Sequence, residues 1–294
     1  MSTVIISSTL DTASENIKNG LLKQSNWKEF DLFFNETTYK NTSISDLYMI
    51  TINDNKITHE NIVEQIQQFL HIHATEAVFI SRHRSKTGAP TLTTHPIGNF
   101  GTALFGGINK TLSPTMPHKM TVLLRKIQKN AKKAGLYHKV CFEVTHHGPY
   151  MQIPTLFAEV GSNEGEWKKQ KPANIIAQSL LHLFESFENK KNTQERIPVL
   201  IGIGGGHYAP RFTDVALEKE VAFAHMVPSY HINEGNITFE MFKTTLDASS
   251  PVDGVYLHRK SMKKSQQTQF KKWCSDLEIP VVSSKDFSDV PSIE

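Results

Sequence analysis

"PVLIGIGGGHYAPRF", residues 198–212, sets a short apolar run against three consecutive glycines and then a histidine. A run this short, rich in branched aliphatics and closed by glycine, reads as a strand buried on both faces. Further runs of the same kind occur at 3–7, 46–52, 77–81, 139–145, 155–160, 221–227, 254–258 and 280–283. Between them lie segments of helical period, predicted at 12–24, 59–72, 117–134, 166–189, 238–246 and 261–277. In the third of these, Met120, Leu123, Leu124 and Ile127 recur at three- and four-residue steps and Gly135 offers a stop. Short strands alternating with helices predict an α/β fold, a mostly parallel sheet covered on both faces.

The 294 residues are read as a single α/β domain, 1–294, large enough to bury its own core. The stretch 84–116, rich in Gly, Pro and Thr and without period, is expected to be a long functional loop. Two cysteines, Cys141 and Cys274, argue against a disulfide framework and for a reducing cytosol. Neither an export leader nor a run of about 18 apolar residues is evident, so a soluble, cytoplasmic protein with no membrane partner is expected. The net charge of +3 permits a nucleic-acid partner without demanding one.

Chemistry points to the histidines. Of the 14, seven sit at or just beyond the C-terminal end of an apolar run: His83, His95, His146, His147, His207, His225 and His258. Ligands of open α/β sheets bind outside the carboxyl ends of the strands, so these rings are expected to meet along one edge. Strand alternation predicts that His147 and Glu143 share one face while His146 takes the other. Glu159 closes a neighbouring run and adds a carboxylate. Imidazole is both the usual base near neutral pH and the commonest metal ligand, so two chemistries stay open: a metal centre or metal-free base catalysis. No HExxH or CxxC spacing is present, so any metal site must be assembled from distant segments. Gly204, Gly205 and Gly206 let the backbone approach a ligand, and their amides are candidates for an oxyanion. The turn is followed by Tyr208 and Arg211, and Arg82, Arg84 and Lys86 flank His83, all suited to an anionic substrate.

The blocks "SRHRSKTGAPTLTTHPIGNF", "VTHHGPY" with "PTLFAEVGSNEGEW", "GIGGGHYAPRF" and "HMVPSY" resemble, in order, those of the archaeal and plant type of D-aminoacyl-tRNA deacylase. In the last block, Ala224 and Ser229 stand where the family pattern has Gly and Lys. The resemblance implies a cytosolic, zinc-dependent hydrolase that cleaves the ester between a D-amino acid and the terminal ribose of tRNA. It also implies a three-layer α/β/α sandwich with a mixed sheet, similar to purine nucleoside phosphorylases and peptidyl-tRNA hydrolases. On that reading His83, His95, His146 and Glu143 are the expected catalytic groups, and His147, His207, His225 and Glu159 the expected zinc ligands. Arg82, Arg84, Lys86, Gly205, Gly206, Tyr208 and Arg211 are expected to hold the tRNA end, and the loop "HPIGNF" to exclude L-amino acids. The protein is expected to act as a monomer. The competing readings are a metal-dependent hydrolase of another small substrate and a non-catalytic RNA-binding protein.

Overall fold

The computed structural model describes residues 2–189 and 196–291. Its strands are β1 (Ser2–Ser8), β2 (Trp27–Phe33), β3 (Glu36–Asn41), β4 (Leu47–Ile52), β5 (Ala74–Arg84), β6 (Thr91–His95), β7 (Lys139–Phe142), β8 (Thr155–Ser162), β9 (Val199–Ile203), β10 (Ala222–Val227), β11 (Gly254–Leu257) and β12 (Val281–Val282). Its helices are α1 (Thr12–Gln24), α2 (Ile62–Leu70), α3 (Pro117–Lys133), α4 (Glu164–Trp167), α5 (Gln170–Asn189), α6 (Pro210–Glu218), α7 (Ser229–Asn233), α8 (Phe239–Ser249) and α9 (Lys264–Asp276).

The strands form two sheets, ordered β2-β3-β4-β1-β5-β8-β6-β7 and β10-β9-β11-β12. β4, β1, β5 and β8 run parallel, whereas β6 pairs antiparallel with β8 and carries β7 parallel to itself. The small sheet is parallel throughout. The sheets meet just beyond β7, where Val144 N–H donates to His207 O (2.9 Å) and Thr145 N–H to Met226 O (3.0 Å). The fold is thus α/β with a mixed, mostly parallel arrangement, as the alternating pattern predicts.

Alternation along β1 shows how both faces are covered. Ile5 joins Ile17 and Leu21 of α1, with Leu123, Leu124 and Ile127 of α3 and Leu180 of α5 in the same core. Val4 and Ile6 face the other way, with Ile62, Ile66 and Leu70 of α2. Local sequence sets the helix ends: Asp11 caps α1 by accepting from Ser14 N–H (3.0 Å), and Pro117 occupies the first turn of α3. The small sheet packs Val199, Ile201 and Ile203 against Phe242 of α8 and Phe270 of α9.

Four features depart from expectation. The stretch 84–116 is not one loop, because Thr91–His95 forms β6 inside it. The hairpin of β2 and β3 went unpredicted, since most of β2 is exposed and its Lys, Glu and Asp mask the apolar period. The predicted helix at 166–189 divides into α4 and α5 at Lys168 and Lys169. α6 follows Ala209, whose left-handed φ of 40° swings the chain straight from the glycine turn into a helix started by Pro210.

Candidate active site

Pairing register builds the floor of the site. Ser81 lies opposite Glu159, and Glu159 opposite Thr93; His83 lies beside Gly161, and Phe157 beside His95. Residues in register share a face, so His83, Glu159 and His95 project from the same side of the large sheet. Gly161 makes room for His83, since a Cβ there would come within 2.9 Å of His83 Cδ2. His95 stacks on Phe157 (centroids 5.2 Å apart, 19° between planes), which stacks on Phe79 (4.7 Å). The reversal at β6 is decisive. Because β6 runs against β8, the last residue of β6 lands beside Phe157, deep on the face of the sheet and not along a carboxyl-end rim.

The walls come from the segment after β7 and from the glycine turn. Glu143 N–H bonds Thr94 O (3.2 Å), and Gly98 N–H bonds His147 O (3.0 Å). Beyond Phe142 the chain leaves strand geometry, and His147 takes a left-handed φ of 47°. The predicted alternation therefore fails: Glu143, His146 and His147 all turn inward. His146 packs against His147 (4.4 Å), His95 (4.3 Å) and His207 (4.7 Å), ring to ring. Five of the seven strand-end histidines thus converge with Glu143 and Glu159.

Tautomers follow from the neighbours. Nδ1 of His95 lies 3.1 Å from Pro96 O, that of His146 2.8 Å from Val144 O, and that of His147 2.7 Å from Gly148 O. A carbonyl oxygen only accepts, so each Nδ1 carries a hydrogen, and Nε2 is the nitrogen that offers a lone pair whenever the ring is neutral. These three residues supply donor nitrogens within 4.8 Å of one another. Two further sets meet the same spacing, His83 with Glu143 and His207, and His95 with Glu143 and Glu159.

Both carboxylates are buried, Glu143 completely. Burial alone would raise their pKa, but nearby His207 (2.8 Å) and His83 (3.1 Å) hold Glu143 well below the usual carboxylate range. Burial also opposes ionisation of Glu159, yet His83 (3.6 Å) and His95 (3.7 Å) bring it down to about 2. In return, His83 rises to about 11 against the penalty of its own burial, and His95 rises also. His147 falls to about 4 and His146 falls well below 6.5, through burial first and then the charge of neighbouring His95. Two enclosed negative charges call for two positive ones. Protons on His83 and His95 supply them, and a divalent cation would supply them equally well.

The residues fit such a cation. His95 Nε2 and both Glu143 oxygens are buried without an aligned hydrogen-bond partner, although charged or polar atoms surround them. Three imidazole nitrogens with a carboxylate alongside form a donor set suited to zinc, and the Nδ1–H bonds to carbonyls fix the rings as outer hydrogen bonds do around a metal.

Other expected residues lie elsewhere. His225 is fully buried but stands apart from these donor sets: Nε2 donates to Ser113 O (3.0 Å) and Nδ1 faces the Thr145 hydroxyl (3.0 Å). Both ring nitrogens are satisfied, which leaves none for a metal. His258 sits behind the glycine turn, where a Cβ on Gly205 would come within 3.1 Å of its Nδ1. Arg211 points to Tyr256 Oη (2.9 Å) and Ser284 Oγ (3.1 Å). Arg82 and Arg84 are exposed on the strand face opposite His83, each over the Trp167 ring (5.3 and 5.2 Å), and Lys86 is exposed beyond them. Gly205 N–H is taken by Ser229 Oγ (2.9 Å) and Gly204 N–H by Val227 O (2.7 Å), so those amides are not available to an oxyanion. Ser229, at the position where the resembled pattern has Lys, thus holds the turn that presents His207. Tyr208 Oη bonds His83 Nε2 (3.0 Å). In "HPIGNF", Ile97 and Phe100 are fully buried in apolar clusters, so neither side chain is free to screen a substrate. Sequence reasoning passed over Phe157, the ring wall behind His95 and His147. It also passed over Asp11, which bonds Arg82 N–H (2.9 Å) and pairs with buried Lys56 (2.6 Å).

Residues 70–282 match the family model of D-aminoacyl-tRNA deacylase. The chain is 34% identical over 282 residues to the D-aminoacyl-tRNA deacylase of Thermococcus onnurineus, covering 95% of this chain and 98% of that one. The Pyrococcus abyssi enzyme of the same name is 36% identical over 77% of this chain and 80% of its own. The crystal structure of a conserved protein of unknown function superposes with a TM-score of 0.87 at 28% identity, covering 98% of this chain and 99% of that one. The chain belongs to the D-aminoacyl-tRNA deacylase family.

Proposed function

We propose that the histidine–carboxylate cluster is where this chain hydrolyses the ester of D-aminoacyl-tRNA, releasing tRNA and a D-amino acid. One observation carries the assignment: three imidazoles tied through Nδ1 to backbone carbonyls, so that their Nε2 atoms converge beside two buried, ionised carboxylates. On this reading His95, His146 and His147 hold zinc, so His95 and His146 move from the role of base to that of ligand. Zinc bound there would supply a water of lowered pKa and positive charge for the developing oxyanion. His207 reaches solvent and takes the proton of the attacking water, and the ionised, enclosed Glu143, 2.8 Å from His207 and 3.5 Å from His146, stabilises the imidazolium that forms. His207 then returns it to the departing ribose oxygen. His83, tied by Tyr208, balances the charge of Glu143 and Glu159 and keeps Glu143 in place. Arg82, Arg84 and Lys86 form an exposed basic edge for the tRNA backbone.

No helix among the described residues is long and apolar enough to cross a membrane. We read the protein as cytosolic and monomeric and as folded in one domain, the last supported by the hydrogen bonds that join the two sheets beyond β7. A passive RNA-binding role gives no reason to bury two carboxylates among five imidazoles, a cost of several kcal/mol per ion before compensation. The test is release of D-tyrosine and L-tyrosine from charged tRNA, with and without a chelator, alongside metal analysis of the purified protein. Turnover of the D-ester that a chelator abolishes and zinc restores is expected. Turnover of neither ester refutes the proposed site chemistry.

A further inference from the structure

The loop between β6 and α3 ends in an unusual tip. Leu104 is 77% exposed, Phe105 66% and Ile108 50%, three large apolar side chains held together in water. Their backbone is not free to fold over them. Asn99 Nδ2 donates to Gly106 O (2.9 Å), Ala103 N–H to Asn109 Oδ1 (2.7 Å), Gly107 N–H to Glu60 Oε1 (3.1 Å) and Gly148 N–H to Phe105 O (3.1 Å). Gly106 and Gly107, at φ of 80° and 79°, press against the Ile57 carbonyl and Gly148, where no side chain fits. A pinned apolar tip of this kind marks a recognition surface.

Its position says what it meets. Gly148, bonded to Phe105 O, follows His147 directly and accepts the His147 Nδ1–H. The tip is therefore one hydrogen bond from the segment that carries His147. From residue 101 to 113 there is no Asp or Glu and Lys110 is exposed, while the neighbouring Glu60 carboxylate is engaged by Gly107 N–H, so the tip's own charge is positive and favours an anionic partner. In D-aminoacyl-tRNA the ester and the terminal adenine share one ribose, so a base must lie within a nucleotide's reach of the reacting carbonyl. An enzyme that serves many tRNAs meets the same unpaired 3′ adenosine in each, and stacking on an aromatic ring captures an unpaired base by its π-face. We infer that Phe105, flanked by Leu104, is the stacking platform for the terminal adenine of the tRNA. The inference rests on the deacylase reading of the adjoining cluster.

The probe is 5′-AMP, which carries the terminal nucleotide without the ester. Its binding is measured by titration calorimetry, and its inhibition of D-tyrosyl-tRNA hydrolysis by kinetics, for wild type, F105A and F105W. Expected are a roughly 5- to 100-fold weaker AMP affinity in F105A, a parallel rise in KM for D-tyrosyl-tRNA with a smaller change in kcat, and recovery of both in F105W. Calorimetry needs no turnover, so the two readings fail separately. If the wild type does not hydrolyse D-tyrosyl-tRNA, the deacylase reading falls. Hydrolysis without AMP binding, or equal AMP affinity in wild type and F105A, overturns the platform alone. So does an F105A variant that changes only its association state or its binding to another protein, which would make the tip a protein contact.

Discussion

His225 provides a quantitative test of which histidines belong to the site. Burial pushes its pKa down to about 3 from an ordinary 6.5, and its only lone pair already faces the Thr145 hydroxyl, which itself accepts from Met226 N–H (3.0 Å). The unfolded chain therefore binds a proton at this residue between pH 6.5 and pH 3 that the folded chain refuses. Stability is complete above 6.5 and is lost as pH falls towards 3. Each pH unit in that window costs about 1.4 kcal/mol, so acidifying from pH 7 to pH 5 costs about 2 kcal/mol through His225. The perturbation is His225→Gln, whose amide can donate to Ser113 O and accept from Thr145 but does not titrate. Urea unfolding of both proteins at pH 7 and pH 5 isolates the residue, because the other histidines contribute to both and cancel in the difference. The stability gap between wild type and variant should narrow by about 2 kcal/mol at pH 5, and bound zinc should be the same in both. A gap that does not change with pH, or zinc lost from the variant, would refute the placement of His225 as a structural residue.

Replacing His147 with Ala should remove bound zinc and D-ester hydrolysis together while leaving the far-ultraviolet circular dichroism spectrum unchanged; retained zinc in that variant would contradict the ligand set. Gly161→Ala puts a methyl against His83 Cδ2 and should cut kcat by about 100-fold with little change in KM, as measured by steady-state kinetics on D-tyrosyl-tRNA. Leu124→Ala, at a fully buried position between α3 and the large sheet, should cost about 2–5 kcal/mol in urea unfolding. Lys56→Met breaks the buried pair with Asp11 and should cost about 3–5 kcal/mol in urea unfolding, and adding Asp11→Leu should not restore it, because Asp11 also caps α1 and accepts from Arg82 N–H.

What the sequence discloses here depends on how local the cause is. α1, α3 and α8 are legible because an apolar period and local end signals act within a few residues: the Asp11 cap, Pro117 in a first turn, and the Thr238 hydroxyl accepting from Met241 N–H. The gathering of histidines at strand ends is legible too, since glycine and proline punctuate those ends. The direction of β6 is not. "TLTTH" has the same alternation whichever way it runs, and its antiparallel pairing with β8 is set by where the chain from 84 to 90 can turn. From that one reversal follows the move of His95 from rim to floor. The left-handed φ at His147 is hidden in the same way, because nothing in "THHGP" distinguishes a continued strand from the turn that brings both rings inward.

The same reversal explains why the cluster can hold so much charge. Had β6 run parallel, its last residue would have stood at the carboxyl-end rim, nearer solvent, where an exposed ion pair is worth about 1 kcal/mol or less. Placed against Phe157, His95 instead reaches Glu159 from the enclosed side while His83 reaches it from the outer side, at 3.7 and 3.6 Å. Glu143, covered completely, links the same buried His83 to the part-exposed His207 and His146. Enclosed charge thus grades into solvent-facing imidazole across a single carboxylate. From solvent, His146 and His207 come first, with the enclosed Glu143 behind them. On the proposed reading, the fold sets His207 within reach of the substrate while keeping the carboxylate charge that supports it away from water.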